Sequence, residues 1–365
     1  MRAGFQDVSR LLRQAVEEER FPGAVLAVGH RGRLAYETAV GQAALIPSPR
    51  RMTVDTVFDL ASLTKPIATA TALMLLAEAG MVGLDAPIGD YLSVACRAAS
   101  ASPTLRQLLS HCAGLPAWRP YYQAIDPAWP PPDRRRAVYA AVHREPFIAS
   151  PGRTVQYSDV GFMLLGELVE TVSGTPLDAF CEQKIFAALH LEGMGFRNLA
   201  RPRPAGVPFA STESCPWRGR VIDGEVHDEN AWIMGGVAGH AGLFATARQV
   251  WQFAQGLLDG LQGRAWLVST ATLRTFTRRQ AVPEGSTWAL GWDTPTAGTS
   301  SAGRYFSPTA IGHLGFTGTS LWIDPAQQVI MVLLTNRVHP SRQRDGIRAF
   351  RPLIHDAVMR ALGPT

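Results

Sequence analysis

The stretch Phe58-Asp59-Leu60-Ala61-Ser62-Leu63-Thr64-Lys65-Pro66-Ile67-Ala68-Thr69-Ala70-Thr71-Ala72-Leu73-Met74-Leu75-Leu76-Ala77 organises the chain. From Ile67 to Ala77 it is apolar and rich in Ala and Leu, and Gly80 follows, which predicts a buried helix with a glycine stop. Pro66 falls in the first turn, where a missing N–H costs little. Residues three apart share a helix face, so the Ser62 hydroxyl and the Lys65 amine are expected to meet. A serine that merely capped the helix would prefer Glu or Gln three residues later. A lysine there sits at the positive end of the helix dipole. Residue usage adds weight, because of 35 basic side chains only Lys65 and Lys184 are lysine. Arginine serves wherever charge alone suffices, whereas a desolvated lysine can give up its proton and act as a base. Ser62 and Lys65 therefore read as a nucleophile and its activator.

On either side of this stretch the predicted elements change character. A helix over 5–19 is followed by a hairpin, with strands at Ala24–Val28 and Leu34–Val40 around a turn at His30-Arg31-Gly32. After the Ser62 helix the pattern is mostly helical to about 200. A turn leading into a short helix is expected at 85–92, a short helix at 104–110, and longer ones at 134–142, 161–172 and 176–189. Between them Gly114–Asp133 is a long loop with Trp118, Tyr121, Tyr122 and Trp129, read as a lip of a pocket. A helix at 248–258 leads back to strands at Ile311–Thr319, Ser320–Asp324 and Val329–Thr335, and an amphipathic helix closes the chain at Asp345–Leu362.

Strands at both ends and helices between predict an α/β (α+β) fold. One antiparallel sheet is joined from the two termini, the first and last helices cover it, and a mostly helical domain is inserted. The boundaries expected are 1–80 with 201–365 for the discontinuous sandwich domain and 81–200 for the all-α domain, with the site at their junction.

The 365 residues carry a net charge of +5 and 46% hydrophobic residues. Arginines are scattered rather than interleaved with aromatics, which argues against nucleic acid as a partner. Cys96, Cys112, Cys181 and Cys215 lack CxxC spacing and read as ordinary thiols. The charged, amphipathic run Arg2–Arg20 has no apolar core of a signal peptide, and the Ser62 helix is too short to span a bilayer. The expectation is a cytoplasmic protein, or a periplasmic one had an export signal been removed. Gly235–Gly242 is Gly-dense without the spacing of a phosphate loop. His227-Asp228-Glu229-Asn230 and His240 lack HxxxH-type spacing and read as a loop beside the pocket rather than a metal site. Glu167 and Glu170 read as solvated or helix-pairing charges.

A serine nucleophile needs a proton acceptor and an oxyanion hole, and no GxSxG elbow is present. Ser62-Leu63-Thr64-Lys65 resembles the SxxK motif of the serine β-lactamases and penicillin-binding proteins. Tyr157-Ser158-Asp159 resembles the Tyr-x-Asn motif of the class C branch, and His313-Leu314-Gly315-Phe316-Thr317-Gly318 its Lys-Thr-Gly strand. The three occur in the family's order, and Leu105–Pro116, Pro151–Gly166 and Gly235–Thr246 extend the likeness over nearly the whole chain. The resemblance implies a β-lactamase/transpeptidase-like fold and a serine hydrolase that needs no cofactor or metal and acts on a small-molecule or peptide substrate. It implies Ser62 as the acylated nucleophile, with Lys65 and Tyr157 sharing the proton traffic and the base left open between them. It also implies an oxyanion hole from the N–H groups of Ser62 and Phe316, the latter on an edge strand, with Gly315 allowing close backbone approach and Asp159 and His313 facing substrate. Two departures stand out. His313 replaces the lysine, removing a permanent cation, and Asp159 replaces the asparagine, adding a carboxylate expected to hold Lys65 charged and shift the base role to Tyr157. The expected reaction is cleavage of a β-lactam, ester or amide through an acyl-enzyme; the alternative is a slow-turnover penicillin-binding or sensor protein of the same fold.

Overall fold

In a computed structural model the residues described are 3–92, 102–298 and 300–363, so Cys96 lies outside them. The strands, in chain order, are β1 (Gly23–His30), β2 (Arg33–Ala44), β3 (Arg50–Arg51), β4 (Phe58–Asp59), β5 (Gly195–Phe196), β6 (Ser214–Cys215), β7 (Arg220–Val221), β8 (Leu243–Ala245), β9 (Ile311–Leu314), β10 (Ser320–Asp324) and β11 (Val329–Thr335). Six of them form an antiparallel sheet in the order β3-β2-β1-β11-β10-β9. The two termini meet at its centre, where β1 pairs with β11 from Ala24 opposite Thr335 to His30 opposite Val329. Arg31 and Gly32 both have positive φ (50° and 77°), as a two-residue turn between right-twisted strands needs.

β1, β10 and β11 are near-continuous apolar runs, and the reason is burial on both faces. Ala24, Leu26, Val28, Trp322, Met331 and Leu333 pack under helices α1 (Gln6–Glu17) and α10 (Ile347–Leu362). The alternate residues Val25, Ala27, Leu321, Ile330 and Val332 join the larger core on the other face. Helix α8 (Ala247–Leu261) lies there, and at Gly29 any Cβ would fall 2.3 Å from its Trp251 Nε1. The first and last helices thus cover one face, not both. A capping box of Thr246 and Gln249 starts α8, a signal the spacing of apolar residues alone did not use.

The Ser62 segment is not one regular helix. Ala61–Leu63 is a 3-10 turn, Lys65–Ala70 is π-helical, and only Thr71–Glu78 (α2) is α-helical. Gly80, with φ 69°, ends it. The helices α3 (Leu105–Leu109), α4 (Pro131–Val142), α5 (Asp159–Ser173), α6 (Leu177–Cys181), α7 (Glu229–Ile233) and α9 (Thr270–Thr277) complete the set among the described residues. α4 starts at Pro131, inside the predicted loop, since proline is at home in a first turn. β4, β5 and β8 form a small sheet directly ahead of Ser62. The strand expected at 311–319 stops at Leu314, because Gly315–Thr319 turns back to begin β10.

Candidate active site

Lys65 is fully buried, and its Nζ lies 3.0 Å from Ser62 Oγ, 2.6 Å from Asp159 Oδ1 and 3.3 Å from the carbonyl oxygen of His240. Three acceptors thus surround one ammonium, which compensates its removal from water. Burial alone would push the amine down, but Asp159 and Tyr157 outweigh it, and the amine is raised above the ordinary lysine value. Tyr157 stands over the same group, with Lys65 Nζ 4.7 Å from its ring centroid. Its phenol is also raised, by burial first and by Asp159, against the opposing effects of Lys65 and of hydrogen bonding to Lys65 and Ser62. Asp159 therefore favours the protonated form of both Lys65 and Tyr157, although burial is the larger cause at Tyr157.

The position of Ser62 follows from the turn before it. Ala61 has φ 47°, unusual for a residue with a Cβ, and Asp59 Oδ1 accepts its N–H at 2.9 Å. Thr64 Oγ1 donates to the Ala61 carbonyl at 2.6 Å and accepts the Leu243 N–H at 3.2 Å, tying the turn to β8. Asp159 opens α5, where a carboxylate suits the helix dipole, and Ser158 caps that helix by accepting the Gly161 N–H.

The third segment is docked onto the first by hydroxyls. Thr317 Oγ1 donates to the Asp59 carbonyl at 2.8 Å and Thr319 Oγ1 to the Leu60 carbonyl at 3.0 Å. Gly315 is glycine for that approach. A Cβ there would fall 1.9 Å from Thr319 Oγ1 and 2.7 Å from the Leu60 oxygen, so what it admits is the neighbouring chain. Phe316 lies beyond the edge strand, in the turn, and its ring is half exposed. Arg337 fixes it by donating from Nε to its carbonyl at 2.8 Å and covering its ring at 4.6 Å, while His227 stacks against the same ring. Arg351 of α10 donates to the carbonyls of Gly315 and Thr319. His313 is buried, not solvent-facing. Its Nδ1–H donates to the Leu314 carbonyl at 2.8 Å, and burial together with the Lys65 charge pushes it down to about 3, so it is a neutral ring in the cation's place.

A cavity of about 660 Å³ is lined by Ser62, Tyr157, Asp159, His313, Gly315 and Phe316 together with Trp118, Trp288, His240 and Arg348. Six of the seven residues named from sequence line it, and the seventh, Lys65, is buried and reaches it through Ser62, whose Oγ is 3.0 Å from its Nζ. Of the aromatic residues in the 114–133 loop, Trp118 lines it, whereas Tyr121 is buried and Tyr122 packs against Trp217. Sequence reasoning missed Trp288 and the arginines of the C-terminal segment, which carry no motif.

Several side readings resolve the same way. The glycines of 235–242 are a packing surface, since a Cβ on Gly239 would sit 2.0 Å from the Phe162 carbonyl. His240 Nε2 meets Asp228 Oδ1 at 2.9 Å, and both border the cavity. Glu213, Cys215 and Glu229 bring their donor atoms together, but the positive charge between the two carboxylates is Arg342, at 2.7 Å from Glu213 and 2.5 Å from Glu229. Glu167 and Glu170 reach across to α4, bonding His143 and Arg135 at 2.6 Å each, so they are inter-helix clamps rather than solvated charges. Cys112, Cys181 and Cys215 are free and buried.

A family model described as Beta-lactamase matches residues 8–353. The chain belongs to the β-lactamase family. Membership makes it a serine hydrolase and places its α/β architecture among the β-lactamase/transpeptidase-like folds. A protein of Escherichia coli O157:H7, provisionally named D-alanyl-D-alanine carboxypeptidase, is 34% identical over 87% of this chain and 79% of its own length. The solved structure of EstCE1, a hydrolase with promiscuous acyltransferase activity, superposes with a TM-score of 0.76 at 22% identity, over 97% of this chain and 98% of that one. The octameric penicillin-binding protein homologue from Pyrococcus abyssi gives 0.72 at 19% identity, over 95% and 77%. None of the described helices is long and apolar enough to cross a membrane.

Proposed function

We propose that this chain is an acyl hydrolase of the class C β-lactamase and penicillin-binding type, working through an acyl-enzyme on Ser62. The observation that carries this reading is the Ser62 Oγ to Lys65 Nζ distance of 3.0 Å, with Ser62 lining an open cleft. In this reading the hydroxyl attacks the carbonyl carbon of a bound amide, ester or β-lactam. Its proton passes into the Lys65–Tyr157 pair and from there to the leaving group, and the Ser62 and Phe316 N–H groups stabilise the oxyanion. Water then reverses the sequence to release the acid. The substrate class is a small molecule or a peptide, and the relatives named as carboxypeptidases support a D-amino-acid peptide among the candidates.

The neutral, buried His313 supports weak hydrolysis of penicillins, whose free carboxylate meets no permanent charge at that strand. One observation favours the alternative of a slow-turnover penicillin-binding or sensor protein. Lys65 is raised above its ordinary value by Asp159 and Tyr157 against the effect of burial, and Tyr157 is raised by burial first and then by Asp159, which slows a step that needs one of them free.

The deciding experiment is intact-mass analysis after incubation with a fluorophosphonate or a penicillin. One adduct mapping to Ser62 and absent in Ser62→Ala is expected, and no adduct, or one elsewhere, refutes the reading. Lys65→Arg is expected to lose most activity despite keeping its charge. A nitrocefin kcat/KM near the class C range would refute weak penicillin hydrolysis, and rapid ester turnover by the wild type would refute the sensor alternative.

A further inference from the structure

We propose that His111, which does not line the cavity, is a positioning residue that aims Tyr157 at Ser62 and Lys65, an inference that rests on the reading of those residues given above. His111 grips the Tyr157 segment at two points spaced as the rungs of a strand. Its carbonyl accepts the Gln156 N–H at 2.8 Å, and its ring Nδ1 accepts the Ser158 N–H at 3.1 Å. N–H groups two residues apart point to the same side of an extended chain, so one residue holds both neighbours of Tyr157. The second rung is a side chain because the backbone cannot supply it. His111 has φ 57°, and the chain bends away at that point. The ring then packs against Tyr157 itself, with centroids 4.6 Å apart, and lies between Phe162 at 5.1 Å and Trp288 at 4.4 Å.

The tautomer follows from the bond. An amide N–H can only donate, so Nδ1 carries the lone pair and the proton sits on Nε2. That Nε2 is buried with no hydrogen-bond partner among the described residues, and the residue as a whole is 2% exposed. An unpartnered buried N–H is unfavourable, and a phenylalanine would fill the same space without it. The imidazole is there for its acceptor. Burial and the Lys65 charge press its pKa well below the ordinary value, which keeps the acceptor lone pair open across the neutral range.

Two substitutions separate acceptor from ring. His111→Phe keeps the ring and loses the acceptor. His111→Asn keeps an acceptor at the Nδ1 position and tolerates positive φ, but loses the ring. Labelling of Ser62 by a fluorophosphonate, normalised to folded protein by thermal melting, gives a maximal rate and a half-saturating concentration. His111→Phe is expected to lower the maximal rate by about 100-fold with the half-saturating concentration unchanged. His111→Asn is expected to recover most of that rate. Amide hydrogen exchange at Ser158 is expected to be fast in His111→Phe and protected in wild type and His111→Asn. A wild-type rate in His111→Phe, or equal losses in both variants, overturns the inference alone. A wild type that is not labelled on Ser62 overturns the reading of the site and this inference with it.

Discussion

Replacing Asp159 by asparagine removes one charge and little else. The asparagine oxygen can still accept from Lys65 Nζ, which Asp159 Oδ1 now meets at 2.6 Å, and the first turn of α5 keeps its shape. At an effective dielectric of about 20, two unit charges at that separation attract by about 6 kcal/mol, a ceiling that reorganisation reduces. Measured shifts for an ion pair this close run to about 1–3 pKa units, or about 1.4–4 kcal/mol. Losing the carboxylate should therefore lower the Lys65 pKa by that amount and release Tyr157 in the same direction, since Asp159 raises both. The fraction of free base at pH 7 then rises about 10- to 1000-fold, and because a weaker base abstracts a proton less well, the net gain in kcat/KM is nearer 10-fold. The assay is kcat/KM for a chromogenic ester or nitrocefin from pH 6 to 11. The ascending limb is expected to move to lower pH in Asp159→Asn. A limb that stays in place, or a uniform fall in rate at every pH, refutes the reasoning and points to Asp159 itself as the proton acceptor. Stability supplies a second readout with the opposite sign. A lysine raised in the folded state stabilises below its unfolded value of 10.5 and ceases to do so as pH climbs through the folded value. Wild type should lose melting temperature in that alkaline window, whereas the variant should start lower at pH 7, because its buried amine lacks a counter-ion, and should not fall there.

Other outcomes follow from the same geometry. Gly315→Ala places a Cβ 1.9 Å from Thr319 Oγ1, so about 1–3 kcal/mol of overpacking is expected in urea titration, with a larger fall in activity because the Phe316 turn must move. Equal stability would show that the turn yields freely. Arg342→Ala strands the buried carboxylates of Glu213 and Glu229 and should cost about 3–5 kcal/mol by denaturant unfolding, partly recovered when Glu213 is also changed to Gln. His313 and His355 are held down to about 3 and about 4, so the unfolded chain binds protons there that the folded one refuses. Stability should therefore decline as pH falls from 6.5 toward those values, and His355→Phe should flatten the decline.

Sequence alone was enough for whatever depends on local pattern and on chemistry confined to a few neighbouring residues. The Ala/Leu run and glycine stop placed the Ser62 helix. Strands predicted at both ends of the chain, with helices between them, placed the sheet. The pair Ser62 and Lys65 was legible because they lie three positions apart and helical geometry does the rest. The π-helical turn at Lys65–Ala70 was not legible, for it depends on packing against α5 and the Gly239 segment. Nor was the end of β9, which is decided by Thr317 and Thr319 bonding carbonyls some 260 residues earlier. The state of His313 and Lys65 belongs to the tertiary structure as well. A histidine in a sequence titrates near neutrality and a lysine beside a serine could be a free base, but burial and the Lys65 charge set the histidine, while burial, a carboxylate from another helix and a carbonyl from a distant loop surround the lysine. Local sequence encodes which groups are present and how near neighbours face each other; the dielectric and the charges that decide their protonation come from parts of the chain that meet only on folding.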